Sequence, residues 1–465
     1  MEKQQQKHKN VDMTDGTIWK QLLLYAIPIL LGDLFQQLYN TVDSIIVGNC
    51  LGKEALAAVG ATNTVINILI GLFTGISTGA TVVISQYFGA RAKERLQDAV
   101  HTTIALTLLM GAAFTCIGVL CTPMMLRLLD TPPDVYLQAK QYLQIYFAGI
   151  GGLVLYNMSA GILRAVGDSR RPLLILVFSS ALNIGLDLLF IVQFGMGVDG
   201  AALATILSQF LSAGILLLLL CRSDDIYRLS FRSLRIHPAI LRRIMDIGLP
   251  VGLQKSLIAM SNTIVISYVN KFGSGAMAGW SVYHRLDSLI QRGMQSMSVA
   301  TTTFVGQNIG AKKEKRIRAG VPVALKMSIG VTLVGAIILV ALRKQFILLF
   351  NSDSDVLYYG ATIILAIVPF QAINCVAQIR AGELRGRGMS KLPMVVMTLC
   401  YIALRQAYLA IGWQFNRSLL FVLGCYPISW LVCAVALSIF AKKQQEKAGT
   451  SDASEAEGLV TGDKT

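Results

Sequence analysis

Residues 28–48, PILLGDLFQQLYNTVDSIIVG, place two carboxylates inside a stretch that is otherwise apolar enough to cross a membrane. An ionised Asp at the centre of a spanning helix costs roughly 2.5–3.5 kcal/mol on insertion scales, so such acids face a protein interior or a watery cavity. On a helix of 3.6 residues per turn, Asp33, Gln36, Asn40 and Asp43 fall three, four and three positions apart and make one polar stripe about three turns long. Leu34, Leu38, Val42, Ile45 and Ile46 cover the remaining surface. A polar stripe of this kind can glue helices together through hydrogen bonds. Two acids on one face point instead to an ion or substrate pathway.

The rest of the chain agrees with a membrane setting. Of its 465 residues 54% are hydrophobic and only 14% charged, and the mean hydropathy is +0.59, which marks a polytopic membrane protein. The first apolar segment has no small-residue cleavage site and is not a removable signal. The formal net charge of +15 does not indicate nucleic acid, because the basic residues sit in short clusters between apolar runs, where they act as topology signals. The eight cysteines form no CxxC pair and the four histidines are scattered, so neither a metal site nor a disulfide framework is expected.

The expected architecture is an all-α integral membrane protein of about twelve transmembrane helices in two duplicated six-helix lobes. The spans are expected at 18–46, 56–87, 98–121, 138–161, 172–193, 199–221, 242–270, 276–307, 320–342, 356–381, 393–412 and 418–441. The domain limits are a flexible tail at 1–17, an N-terminal lobe at 18–221, a basic linker at 222–241, a C-terminal lobe at 242–441 and a disordered polar tail at 442–465. Loops rich in Lys and Arg alternate with poor ones, for example Arg91, Lys93 and Arg95, then Lys312 through Arg318. The positive-inside rule puts the rich loops and both termini in the cytoplasm of a plasma-membrane protein.

The duplication is read from three separated anchors. Gln86-Tyr-Phe-Gly-Ala-Arg aligns with Gln307-Asn-Ile-Gly-Ala-Lys, and Gly161, Arg164, Gly167 and Pro172 align with Gly382, Arg385, Gly388 and Pro393, all at an offset of 221. Pro28 and Asn40-Thr41 align with Pro250 and Asn262-Thr263 at 222. Six spans return the chain to its starting side, so the two halves repeat in the same orientation, as in duplicated transporters.

The fifth span supplies a partner for the first stripe, since Asn183 and Asp187 stand four apart on one helix face. NTVDSIIVG after a proline-broken first helix, NIGLDLLF, GMGVDGAALAT and the twinned loops RAVGDSRRP and RGRGMSKLP together resemble the multidrug and toxic compound extrusion (MATE) transporters, over residues 18–440. The resemblance implies a secondary active antiporter that exports amphipathic organic cations by alternating access, driven by protons or sodium. It also implies a cation-coupling site at Asp43, Asn183, Asp187 and Thr205. Some sodium-linked members carry a glutamate in the seventh helix. This seventh span has Gln254, Lys255 and Asn262 there and no glutamate, its one acid being Asp246 at the start. Two carboxylates in a poorly hydrated lobe cannot both stay charged near neutrality, which favours a proton carried by Asp43 and Asp187. The neutral oxygens of Asn183 and Thr205 keep sodium as the alternative ion at the same four residues. No cofactor is expected.

Further candidates for a substrate-facing cavity are Asp33, Gln36, Asn40, Gln254 and Lys255, then Asp287, Gln291 and Gln295 on one face of the eighth span, and Gln371, Asn374 and Gln378 on the tenth. Asp287 could equally be held in an internal ion pair with Arg292 or Lys255. Gly71, Gly75 and Gly79 read as a close helix contact. No HExxH, P-loop or nucleophile elbow occurs, so an enzyme is not expected and there is no catalytic residue. The alternative function is a lipid-linked saccharide flippase, for which Lys255, Arg285 and Arg292 would supply positive charge. The expected partners are small organic cations and membrane lipids, with no nucleic acid, and the chain is expected to act as a monomer.

Overall fold

The computed structural model describes residues 11–128 and 130–461; side chains at 63–65, 67–68 and 448–461 lie outside that description. Among the described residues the chain is helical, without strands. The helices are α1 (Ile18–Leu51), α2 (Lys53–Gly89), α3 (Lys93–Leu128), α4 (Pro133–Ala148 and Ile150–Ala165), α5 (Arg170–Gln193) and α6 (Val198–Cys221). The second half repeats them as α7 (Pro238–Val269), α8 (Ser274–Gly310), α9 (Glu314–Ala341), α10 (Ser354–Gly386), α11 (Lys391–Gly412) and α12 (Leu419–Thr461). A short helix, Arg343–Leu348, lies between α9 and α10.

Ten of these are long and apolar enough to cross a membrane, and the two pieces of α4, bent by 47°, make an eleventh. The twelfth expected span is α8, which has the length, 37 residues, but carries His284, Arg285, Asp287 and Arg292. The bend in α4 falls at Gly149, where a Cβ would stand 2.3 Å from Ile206.

The duplication reaches into backbone conformation and tertiary hydrogen bonds. Left-handed residues recur as Gly52 and Gly273, Arg91 and Lys312, and Gly167 and Gly388, each pair 221 apart. Ser77 Oγ donates to Asn157 O at 3.1 Å and Thr81 Oγ1 to Gly161 O at 3.2 Å. In the second half Ser298 Oγ donates to Gln378 O at 2.8 Å and Thr302 Oγ1 to Gly382 O at 3.1 Å. Small and hydroxyl residues at these crossings let backbones approach, the way spanning helices associate when lipid offers no hydrophobic drive.

The chain divides into two compact units, but not where a count of spans divides it. One unit holds Leu24–Gly252 and takes in Val11 and Asp12; the other holds Met13–Leu23 and the chain from Leu253 onward. The expected limits at 221 and 242 therefore differ from the packing. The cause within the first unit is a glycine crossing of α2 with the first half of α7. A Cβ on Gly75 would stand 2.3 Å from Gly252 N, and one on Gly79 2.3 Å from Ile244 O, so only glycine permits the contact. Ile240, Ile244 and Ile247 join the first unit's core.

Two expectations for the tails change as well. Of the tail expected to be flexible at 1–17, residues 1–10 lie outside the described region, while Met13 is fully buried in the second unit. Its N–H donates to Gln307 Oε1 at 3.1 Å, and its carbonyl oxygen accepts from Asn308 Nδ2 at 3.0 Å and Arg316 Nε at 3.1 Å. Satisfying these backbone groups fixes a segment whose composition alone gives no reason for order. At the other end the last span does not stop at 441, because α12 runs on to Thr461. Ala, Lys, Gln and Glu continue an existing helix without a new nucleation cost. Gln445 Nε2 anchors the extension by donating to Glu383 Oε1 at 2.7 Å. Residues 462–465 lie outside the described region.

Candidate functional site

Two buried polar clusters, one in each unit, hold acids singled out in the sequence, and the two differ in how well their atoms are satisfied. In the first unit α1 contributes Asp43 and α5 contributes Asn183 and Asp187. Asp187 is fully buried and Asn183 nearly so. The Asp43 and Asp187 side chains are within direct interaction range. Both carboxylate oxygens of Asp187, Oδ1 of Asp43 and both polar atoms of Asn183 are buried without a hydrogen-bond partner. Buried polar atoms are nearly always paired, so five unpaired ones on two neighbouring helices single this cluster out as the candidate site.

The local reason for this arrangement lies in α5, which switches to a π-helical turn, Leu188–Gln193, immediately after Asp187. Such turns re-aim side chains within a helix and concentrate at functional sites. Thr205 on α6 is buried, but its hydroxyl donates to Ala201 O of its own helix at 3.0 Å. Its helix is held to α5 one turn away, where Ser179 Oγ donates to Ser208 O at 2.9 Å. Tyr39 and Tyr142 interact electrostatically with both Asp43 and Asp187, and Tyr146, which interacts with both tyrosines, hydrogen-bonds Gln209. These tyrosines and Gln209 are absent from the sequence-derived site. Tyr39 stands four before Asp43, and Tyr142 four before Tyr146, so helical spacing would have shown them.

The rest of the first stripe is more open. Asp33 and Gln36 are half-buried, and Asn40 is exposed, with its carbonyl oxygen accepting from Ser44 Oγ at 2.9 Å. Asp33 interacts with Tyr156 of α4. The structure thus gathers Asp43, Asn183 and Asp187 and leaves Asp33, Gln36 and Asn40 outside that cluster.

In the second unit Asp287 of α8 is buried and well supplied with donors. Gln371 Nε2 donates at 2.6 Å, Gln291 Nε2 at 3.3 Å, and the Tyr283 hydroxyl also bonds it. Gln371 Oε1 accepts from Gln291 and Asn374 at 3.2 and 3.4 Å, and Tyr401 OH donates to Asn374 Oδ1 at 3.1 Å. Beyond Tyr401 lies Arg405, 2% exposed, whose Nη1 donates to Asn262 Oδ1 at 2.9 Å and whose Nη2 donates to Ser429 Oγ at 3.0 Å. Its guanidinium lies 4.3 Å from the Tyr426 ring centroid and 5.2 Å from that of Tyr401. A π-helical turn, Leu399–Leu404, leads into Arg405.

Gln291, Gln371 and Asn374 are therefore joined to Asp287, as the shared faces suggested, while Gln295 is exposed and Gln378 half-buried. Gln254 lies apart, donating to Met397 Sδ at 2.9 Å and accepting from Arg385, and its neighbour Lys255 is half-buried. Arg405, Tyr401, Tyr283 and Ser429 escaped the sequence reading. An arginine in an apolar span was the available signal. Among the described residues no group of three or more His, Cys, Asp or Glu side chains is placed to hold a metal ion. An alkali cation in the first unit would have to draw on two carboxylates and neutral oxygens.

A family model described as MatE matches residues 28–189 and 250–409, once in each half. The chain belongs to the MATE family of transporters. It is similar to the probable multidrug resistance protein YpnP of Bacillus subtilis, with 30% identity covering 87% of this chain and 90% of that protein. The probable multidrug resistance protein NorM of Thermotoga maritima is 26% identical over 82% of each chain. A FAD transporter of Shewanella oneidensis is 25% identical over 95% of this chain and 98% of its own length. Among solved structures, a MATE protein in the bent conformation superposes with a TM-score of 0.90 at 24% identity, covering 96% of this chain and 99% of that one, which bears on the fold. This MATE protein is thus a multi-pass membrane transporter, not an enzyme. The family match and the relatives named for multidrug resistance favour the exporter over the saccharide flippase.

Proposed function

We propose that this MATE transporter exports amphipathic organic cations across the plasma membrane in exchange for protons, by alternating access, with the Asp43 and Asp187 pair as the proton carrier. The observation that carries this reading is the fully buried Asp187 set directly beside Asp43, with no amide, hydroxyl or cationic donor to its carboxylate oxygens. In this reading the pair carries a proton through one half of the transport cycle. Release of that proton creates a charge that an organic cation can offset. The chain is read as a monomer with both termini in the cytoplasm, on the side of the basic loops.

Sodium is the second reading, because the amide oxygen of Asn183 is also unpaired and is a neutral ligand of the kind a sodium shell needs. Purified protein in liposomes with an imposed pH gradient and no sodium separates the two. The expected outcome is substrate accumulation driven by the pH gradient alone. Accumulation that requires a sodium gradient would transfer the coupling to sodium.

A further inference from the structure

At the end of the second unit away from the basic loops, two aromatic side chains hold one lysine and a third ring backs one of them. Tyr268, near the end of α7, and Trp413, just past α11, are half-buried and meet edge to face at 5.4 Å, with Phe272 against Trp413 at 6.0 Å. Lys271 Nζ stands 4.6 Å from the Tyr268 ring centroid and 4.7 Å from that of Trp413. Both distances lie within the range at which a ring face attracts a cation, and two ring faces on one ammonium are the core of the arrangement that recognises quaternary ammonium ligands. Lys271 is exposed, so the ammonium position is reached from solvent.

The chemistry of the site is selective. Among the described residues no carboxylate pairs with Lys271, so the attraction comes from ring faces. A small metal ion, which demands oxygen ligands, gains little there. A weakly hydrated organic cation gains from both the ring electrostatics and the apolar contact.

The duplicated fold supplies a comparison within the molecule. Counted from Asn40 and Asn262, the first half has Ile46 where the second has Tyr268, and Asn49 or Cys50 where it has Lys271. Counted from Pro172 and Pro393, Val192 stands at the position of Trp413. The cage belongs to one half only, so it is not a consequence of how each lobe must end at the membrane surface.

We propose that Tyr268, Trp413 and Phe272 form an external binding site for organic ammonium cations, with the Lys271 ammonium as a tethered occupant that a ligand must displace. The proposal rests on the export reading for its role, which is to receive a cation leaving on the non-cytoplasmic side. A tether of a few bonds keeps the lysine at an effective concentration in the millimolar range or above, so it competes with free ligand and favours release.

The test is a titration of the purified protein with tetramethylammonium chloride, at ionic strength held constant with sodium chloride, followed by tryptophan fluorescence. Lys271→Ala should bind saturably with a midpoint about ten-fold below that of the wild type. Tyr268→Leu in the Lys271→Ala background keeps the Trp413 reporter and should weaken binding several-fold, while Tyr268→Phe should not. The signal should vanish in Lys271→Ala/Trp413→Leu, with thermal melting confirming that each variant is folded. Equal midpoints for wild type and Lys271→Ala, or a signal that survives loss of Trp413, would overturn the proposal and leave an aromatic and lysine anchor at the interface. Because the measurement needs no ion gradient, it separates from the export reading. Binding without efflux of organic cations refutes transport and keeps the cage, and efflux without binding does the reverse.

Discussion

The two halves of this transporter share a fold down to single hydrogen bonds, yet their buried polar clusters are opposites. In the first, Asp43, Asn183 and Asp187 present five buried atoms with no partner. In the second, Asp287 accepts from two amides and a phenol, and Arg405 is held by Asn262 and Ser429 and by two ring faces. A fully paired buried network rigidifies a core, whereas an unpaired one stores the capacity to bind something. The duplicated frame thus carries two clusters that differ in pairing, and the proposed function assigns the coupling role to the unpaired one.

The largest expected effect breaks the first cluster. Asp43→Asn and Asp187→Asn should each reduce gradient-driven ethidium efflux to background in cells, with normal membrane insertion, because each removes the titratable group and keeps the side-chain size. Asp287→Asn should retain most of the efflux, since an asparagine oxygen still accepts from Gln371. Equal loss in all three variants would erase the contrast between the clusters.

Stability should show the reverse order. Arg405→Leu removes the donors to Asn262 and Ser429 and the cation over Tyr426, and should cost on the order of 3 kcal/mol, read as a large drop in melting temperature. Arg405→Lys should rescue little, because one ammonium cannot reproduce the planar fork and the stack on Tyr426. Asp187→Asn should leave the melting temperature unchanged or raise it, as it removes a buried carboxyl that has no donor. A strongly destabilised Asp187→Asn would show that this acid also braces the fold.

The smallest effects sharpen the comparison at single hydroxyls. Tyr401→Phe breaks the bond to Asn374 and should cost about 1 kcal/mol with efflux largely kept. Tyr39→Phe should be near neutral in stability but shift the pH dependence of efflux, because Tyr39 interacts electrostatically with Asp43 and Asp187. A Tyr39→Phe variant with an unaltered pH profile would remove that phenol from the working site.

Much of this protein is legible in its amino-acid sequence. Hydropathy, basic loops and repeated motifs are properties of short segments, so the spans, the duplication and the polar faces of α1, α5, α8 and α10 follow from local spacing. Asp43, Asn183 and Asp187 stand out because charge inside an apolar span is conspicuous wherever the chain later folds. What tertiary structure decided is everything that depends on which helix lies beside which. The tyrosines of α4 closing around the acids of α1 and α5, the chain linking Asp287 to Arg405, and the glycine crossing that assigns the first half of α7 to the first unit each join residues from separate helices. The same limit hid the ordered Met13 segment and the continuation of α12, whose compositions are those of any polar tail. Their order comes from partners such as Gln307 and Glu383, supplied by distant parts of the chain, and spacing along one helix carries no information about a neighbour.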